Sequence, residues 1–121
     1  MSRDPERLDV FHVADALAVR VYHATRRIPA EERYGIQAQV RRAAVSVACN
    51  IVEGCARRTK GEYLHFINVA LASATEARYL IDLAYRLNLL PGDDIPVLTA
   101  DYRELLKKLQ KLLNAIEMMR Q

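Results

Sequence analysis

The chain has 121 residues, of which 51% are hydrophobic and 27% are charged, and its formal net charge is +3. These values are typical of one globular domain that can bury a substantial core. No stretch approaches the roughly 18 apolar residues of a membrane span, and the polar N-terminus MSRDPERLD lacks a signal-peptide core. The sequence therefore predicts a cytoplasmic protein of one domain.

The residue types favour an all-α fold. Only four glycines and four prolines occur, and the β-branched residues are scattered instead of alternating with polar ones. Short connections between long helices predict an antiparallel, up-down-up-down four-helix bundle. The predicted helices cover residues 10–27, 36–57, 60–88 and 94–119, in a domain of residues 9–121 that follows a flexible lead-in of residues 1–8.

Helix one is predicted from apolar positions that recur at steps of three and four residues. Asp9 is its predicted N-cap. The helix ends before Ile28-Pro29, because the residue before a proline disfavours the helical conformation. Arg26 and Arg27 fall in its last turn, where cations are favoured.

Helix two lies in the run IQAQVRRAAVSVACNIVEGCARR, residues 36–58, and carries one polar stripe on an otherwise apolar or small surface. The stripe consists of Gln39, Arg42, Ser46, Asn50, Glu53 and Arg57. A helix in a single bundle needs one apolar face of roughly 100°. The wider apolar surface here predicts that helix two is covered by its own bundle and by a second subunit.

The second half of the chain predicts two long, tightly packed helices. Helix three begins at the capping box Thr59-Lys60-Gly61-Glu62 and ends near Leu90-Pro91-Gly92. Small residues in its middle allow a neighbouring helix to approach closely: Ala70, Ala72, Ser73, Ala74 and Ala77. Helix four carries a heptad seam: Leu98, Tyr102, Leu105, Leu109, Leu112, Ile116 and Met119.

Basic residues are concentrated in the first half of the chain. Residues 1–60 carry 11 Lys/Arg and 7 Asp/Glu, whereas residues 61–121 carry 7 and 8. Such an excess is compatible with contacts to nucleic-acid phosphates, and the alternative is a solvated surface that keeps the protein soluble. The predicted nucleic-acid-binding residues are Arg26, Arg27, Arg41, Arg42, Arg57, Arg58 and Lys60.

The polar members of the helix-two stripe carry a separate prediction. Ser46, Asn50 and Glu53 lie among apolar neighbours, and buried polar groups need hydrogen-bond partners. We expect them to bond a neighbouring helix or subunit and to fix its register.

No catalytic residue, metal site or cofactor is predicted. Glu62 and His65 have the spacing of a carboxylate–histidine pair in di-iron bundles, but the second pair that such sites need is missing. Arg58 and His65 resemble the arginine–histidine signature of HEPN-type RNA-cleaving domains, although the capping box places Arg58 before helix three. Cys49 and Cys55 are too far apart along one helix for a disulfide and are interpreted as buried thiols.

Four motifs lie in the centre of the chain: RRAAVSV at 41–47, NIVEG at 50–54, RR at 57–58 and EYLHF at 62–66. They resemble the signature of the 23S rRNA intervening-sequence protein family of bacterial four-helix-bundle proteins. The similarity extends to LDVFHVADALAVRVY and ALASATEARYLIDLAYRLNLL. The family motif reads approximately LRRAAVSIPSNIAEG, so Ala48-Cys49 replaces Pro-Ser, and helix two should be straighter without that proline.

The resemblance implies a small cytoplasmic protein that forms a ring-like homopentamer without catalysis. The resemblance also includes a related branch, the accessory variability-determinant proteins of diversity-generating retroelements. These proteins form basic pentameric barrels that bind nucleic acid and a reverse transcriptase. We therefore predict a non-catalytic homo-oligomer that binds RNA or an RNA–DNA hybrid.

Two alternatives remain beside this prediction. One is a scaffold that binds a protein partner, such as a reverse transcriptase, without contacting nucleic acid. The other is RNA cleavage by Arg58 and His65. Base stacking is not predicted, because most tyrosines fall at core-facing helical positions.

Overall fold

The structure, a computed structural model that describes residues 3–120, is all-helical and has no strand within that range. Its helices are α1 (Asp9–Ala24), α2 (Ala38–Cys55), α3 (Lys60–Arg86) and α4 (Asp94–Glu117). The predicted all-α fold with four helices is confirmed, and each predicted helix end lies within three residues of the observed one. No helix in residues 3–120 is long and apolar enough to cross a membrane.

Contacts at both ends of α1 and α4 give their relative direction. Arg27, just after α1, pairs with Asp94 at the start of α4 at 2.7 Å. Asp9, at the start of α1, pairs with Lys108 in the second half of α4 at 2.6 Å. These two helices are therefore antiparallel. α1 contacts α2, α2 contacts α3, α3 contacts α4, and α4 contacts α1. The four helices therefore enclose one core.

The core is filled from one face of each helix. α4 contributes the predicted seam residues up to Leu109, and also Ile116, but between them Leu113 is buried and the predicted Leu112 is only half-buried. A 3.6-residue helix drifts away from a strict 3.5-residue repeat, which explains this change of position. Met119 lies beyond the end of α4 and is exposed.

α2 and α3 approach each other closely through small residues. A Cβ atom at Gly54 would lie 3.2 Å from the Cβ of Phe66 and 3.3 Å from the Tyr63 ring. Ser73 and Ala74, in the middle of α3, are buried, whereas Ala72 is exposed. The expected close approach is thus observed, with Ala72 on the outer side.

The ends of α3 are set by local hydrogen bonds. The Glu62 backbone N–H donates to the Thr59 hydroxyl at 3.1 Å, and that hydroxyl donates to the Glu62 carboxylate at 3.0 Å. At the other end Asn88 has φ 60°, and the Leu89 N–H donates to the Ala84 carbonyl at 2.9 Å. This left-handed residue ends α3 before the predicted Leu90-Pro91-Gly92 signal.

The described part of the N-terminal lead-in contacts the bundle. The Arg3 N–H donates to the Cys55 carbonyl at 2.7 Å, and its guanidinium lies 3.9 Å from the centre of the Tyr63 ring. Residues Pro5–Arg7 form a short 3-10 turn that Asp4 caps. Residues 1 and 2 lie outside the described range, and the flexibility of residues 1–8 stays a prediction.

Candidate nucleic-acid interface

The basic residues predicted to bind nucleic acid lie at two opposite ends of α2. Arg26 and Arg27 follow α1 and come close to Arg41 and Arg42 near the start of α2. The other three follow α2, which has 18 residues and a length of about 27 Å. They therefore do not form one continuous patch within a single chain.

A cleft of about 560 Å³ lies beside the α1–α2 connection. Its lining, which we call the arginine cleft, consists of Arg26, Ile28, Ala30, Arg33, Gln37 and Arg41. Three guanidinium groups thus line one space to which no carboxylate of the described residues contributes. The volume falls within the range of small-ligand sites, about 300–1,000 Å³.

The α1–α2 connection brings these side chains together. Thr25–Arg27 continues α1 as a 3-10 turn, and Pro29 then precedes a second turn and a wide, π-type turn at Arg33–Gln37. The Gln37 amide donates to the Thr25 carbonyl at 2.9 Å, which links the two ends of the connection.

Arg41 is held in place by the end of α1. Its Nε donates to the buried Thr25 hydroxyl at 2.8 Å, and its Nη2 donates to the Tyr22 carbonyl at 3.2 Å. Its guanidinium also lies 4.6 Å from the centre of the Tyr22 ring. Arg41 therefore carries charge in the cleft but also joins α1 to α2.

Arg26 and Arg33 are the available cations of the arginine cleft. Both are exposed, and neither forms an ion pair or a side-chain hydrogen bond within residues 3–120. Glu31 and Glu32 belong to the same connection but do not line the cleft. The charge of these two arginines is thus not neutralised by a direct carboxylate contact.

Arg27 has a structural partner. Its Nη1 and Nη2 donate to the two carboxylate oxygens of Asp94 at 2.7 and 2.8 Å, and Nη1 also donates to the Pro91 carbonyl at 2.8 Å. The hydrogen bonds raise the pKa of Arg27 and lower that of Asp94. Gly92, with φ 131°, lies directly beneath the guanidinium, where a Cβ would collide with it.

The opposite end of α2 offers fewer free cations. Arg57 pairs with Glu53 at 3.2 Å and lies over the Phe66 ring. Lys60 donates to the carbonyls of Glu117 and Met119 at 2.8 and 2.9 Å, which caps the end of α4. Arg58 is exposed and has no ion pair within the described residues.

The polar stripe of α2 hydrogen-bonds α3 through Ser46. The Ser46 hydroxyl lies 2.8 Å from that of Ser73. The Asn50 amide donates to the Ser46 carbonyl at 2.8 Å and to its hydroxyl at 3.0 Å, both within α2. Ser46 therefore bonds across helices, whereas the role of Asn50 and Glu53 in oligomer register stays a prediction.

A second apolar face of α2 is exposed beside α1. Val45, Cys49 and Val52 are exposed, and Ala48 is half-buried. A groove of about 500 Å³ is lined by Ala48, Cys49 and Val52, by Phe11 of α1, and by Glu53 of the polar stripe at its edge. We call these residues the outer α2 face.

The two cysteines differ in their surroundings. The prediction that both are buried thiols is wrong for Cys49, which is exposed on the outer α2 face. Cys55 is buried as predicted, and its burial raises the pKa of its thiol. The difference arises because six residues advance a helix by about 600°, which places the two side chains about 120° apart.

The residues of the alternative chemistries lie at the start of α3. Glu62 and His65 are exposed, and the His65 ring packs edge-on against Phe66 at 5.0 Å between ring centres. No group of three or more histidine, cysteine or acidic side chains that could hold a metal ion occurs in the part of the chain that the structure describes. Arg58 precedes α3 and His65 lies within it.

The sequence interpretation misses two residues in the α1–α2 connection. Arg33 lines the arginine cleft, and the next residue, Tyr34, is 90% exposed. The expectation that most tyrosines face the core is wrong, because only Tyr63 and Tyr102 are buried among the six. The sequence signal for the exposure of Tyr34 is Gly35, because a glycine at that position interrupts the helical pattern on which core-facing positions depend.

Comparison with known proteins identifies the family. The model of the 23S rRNA-intervening sequence protein family matches residues 6–111. The chain belongs to this family. The match includes the arginine cleft, the outer α2 face and most of α4, so the resemblance seen in the sequence motifs is confirmed.

A solved structure supports the fold. A protein of unknown function from the S23 ribosomal protein family of Bacteroides thetaiotaomicron is similar, with a TM-score of 0.79 and 22% sequence identity. The alignment covers 87% of this chain and 95% of that chain. At this identity the likeness shows the shared fold alone. No match is found among curated proteins.

Proposed function

We propose that this member of the family is a non-catalytic cytoplasmic homo-oligomer that binds RNA or an RNA–DNA hybrid through the arginine cleft. The observation that carries the proposal is the lining of the cleft by Arg26, Arg33 and Arg41 without a carboxylate. Guanidinium groups suit phosphate because their planar donors match its oxygens. Arg42 follows Arg41, is exposed, and extends the basic surface along α2.

The rest of the predicted basic set has a smaller part in this proposal. Arg27 and Lys60 are occupied by Asp94 and by the end of α4. Arg58 is exposed but lies at the opposite end of α2. Phosphate contact is therefore assigned first to the arginine cleft and only second to the α2–α3 end.

The outer α2 face supports the proposed assembly, with a second copy of this chain as its occupant. Val45, Cys49 and Val52 recur at steps of four and three, which forms a continuous apolar strip along α2. Phe11 widens the strip onto α1. The resemblance implies five subunits. A closed ring would present several arginine clefts at once, and linked sites raise the overall affinity for one long ligand.

A charge swap in the cleft tests nucleic-acid binding. We expect Arg26→Glu/Arg33→Glu to reduce binding of a labelled RNA by at least about tenfold, because two phosphate contacts become repulsive. Fluorescence anisotropy at low salt measures this change. Arg41 is left unchanged because it holds Thr25.

The matched control is Lys107→Glu/Lys111→Glu, an equal charge change on the exposed side of α4. An equal loss of RNA affinity in the two double variants would contradict a binding site at the arginine cleft. If the unaltered oligomer binds no RNA or RNA–DNA hybrid, the proposal fails in favour of a scaffold for a protein partner, such as a reverse transcriptase.

A further inference from the structure

Tyr34 places an aromatic ring in solvent, in the turn that carries Arg33 of the arginine cleft, and does not itself line the cleft. Its side chain is 90% exposed, and it directly follows Arg33, which lines the cleft. Exposing a tyrosine ring so fully leaves most of its apolar surface in water. Among the exposed large hydrophobic side chains it is the most accessible one within residues 3–120.

The turn that carries Tyr34 is anchored on both sides. Before it, Ile28 is buried in the core. After it, Gln37 bonds the Thr25 carbonyl. Gly35 has φ −100° and ψ −115°, outside the helical region, and a Cβ there would lie 2.8 Å from the Glu32 carboxylate. This non-helical residue separates Tyr34 from α2, which begins at Ala38.

We propose that the arginine cleft and Tyr34 together bind an unpaired stretch of a nucleic-acid strand. Phosphates of the strand occupy the cleft at Arg26, Arg33 and Arg41, and a neighbouring base stacks on the Tyr34 ring. Proteins that bind single strands combine a basic groove with aromatic side chains on which bases stack. A fully paired duplex cannot use the ring, because its bases are already stacked inside the helix.

This inference rests on the proposed nucleic-acid binding and narrows its ligand. A base stacked on Tyr34 is contacted only through the flat face of the base, which every base has, so we expect little sequence preference. In a structured RNA, the preferred segments are loops, bulges and ends, whose bases are free to stack on a side chain.

The test compares one labelled RNA strand free, paired with RNA and paired with DNA, by fluorescence anisotropy at constant salt. Loss of one stacked base weakens single-strand binding by about 5- to 150-fold. We expect that loss in Tyr34→Ala, with unchanged binding of both paired forms. Tyr34→Phe should bind as the unaltered protein does, because the ring supplies the stacking surface.

The control is Tyr79→Ala on α3, which removes a ring that is 56% exposed and lines a different pocket, beside Thr99 and Arg103 of α4. It should bind the single strand normally. Unchanged single-strand binding by Tyr34→Ala would overturn the inference, as would an equal loss for the paired forms. If the unaltered protein binds only paired forms, the inference fails while the proposed function stands. If it binds none of the three, both fail.

Discussion

In each arginine doublet of this chain, one side chain has a partner within residues 3–120 and the other has none. Arg26 lines the cleft while Arg27 pairs with Asp94. Arg41 bonds Thr25 while Arg42 is exposed. Consecutive helical residues are rotated by about 100°, so neighbours in sequence do not face the same way. A doublet in the sequence therefore indicates one unpaired cation instead of two.

Tyr102 is a residue whose buried polar group has no partner within the described residues. Its hydroxyl lies in the core, and burial raises its pKa well above the ordinary value, so the phenol stays neutral. An unsatisfied buried hydroxyl costs about 1–3 kcal/mol. We expect Tyr102→Phe to raise the free energy of unfolding by about 1 kcal/mol, since it removes the hydroxyl and keeps the ring.

Urea denaturation of the two proteins measures this difference. Tyr85→Phe, on the exposed side of α3, serves as the control and should leave stability unchanged. A clear loss of stability in Tyr102→Phe would mean that the hydroxyl is satisfied in solution.

At the scale of the helices, periodic apolar residues predict the elements well. Every predicted helix is present because the apolar positions follow a 3.6-residue period and the breaks coincide with glycine, proline or a capping box. The shift from Leu112 to Leu113 shows the limit of a strict heptad. The fold is thus largely encoded in local pattern.

The arginine cleft depends on the connection between helices, where no period applies. Arg33 and Tyr34 lie in a turn whose course follows from the backbone of Gly35. The partners that occupy Arg27 and Lys60 lie 67 and 57 residues away in the sequence. Which cations remain available is therefore a tertiary property, and the sequence indicates the basic composition without identifying the site.

The Arg27–Asp94 pair connects the end of α1 to the start of α4 and makes stability depend on pH. The folded-state pKa of Asp94 is lowered, so the unfolded chain binds more protons between the two pKa values. Its contribution is present above the unfolded value of 3.8 and is lost as the pH falls through the lower folded value. We expect Asp94→Asn to reduce the acid sensitivity of unfolding.

Urea unfolding from about pH 5 down to about 2 compares the slopes of stability against pH. Asp93→Asn is the matched control, because Asp93 is an exposed neighbour without an ion pair within residues 3–120. An equal change of slope in both variants would argue against the ion pair as the cause.

At the scale of the whole molecule, α2 has three distinct sides. One faces the core, the stripe with Ser46 faces α3, and the outer α2 face is exposed beside α1. On one edge of α2, the stripe therefore lies between the core side and the outer α2 face. On the other edge, the apolar surface continues from the core across Ala48 to the outer α2 face, which suits a contact with a second copy.

Assembly through this surface predicts the effect of a single charge. We expect Val52→Glu to lower the oligomer mass, ideally to that of one 13.8 kDa chain, because it buries a charge in an apolar contact. Light scattering on the purified protein measures the mass. Val97→Glu is the control, since Val97 on α4 is 54% exposed and lies outside this face.

A monomeric unaltered protein at micromolar concentration would contradict the second covered side of α2. An unchanged oligomer in Val52→Glu would place the contact elsewhere.

Phosphate contact at the arginine cleft is tested by the salt dependence of RNA binding. Three phosphate contacts in one cleft predict a fall in affinity of about 20-fold between roughly 50 and 200 mM salt, and more if several subunits bind the same strand. The measurement is the dissociation constant of one labelled RNA across that range. A steep linear loss on logarithmic axes is the predicted result. Absent binding, or binding that does not change with salt, would contradict nucleic-acid binding through the arginine cleft.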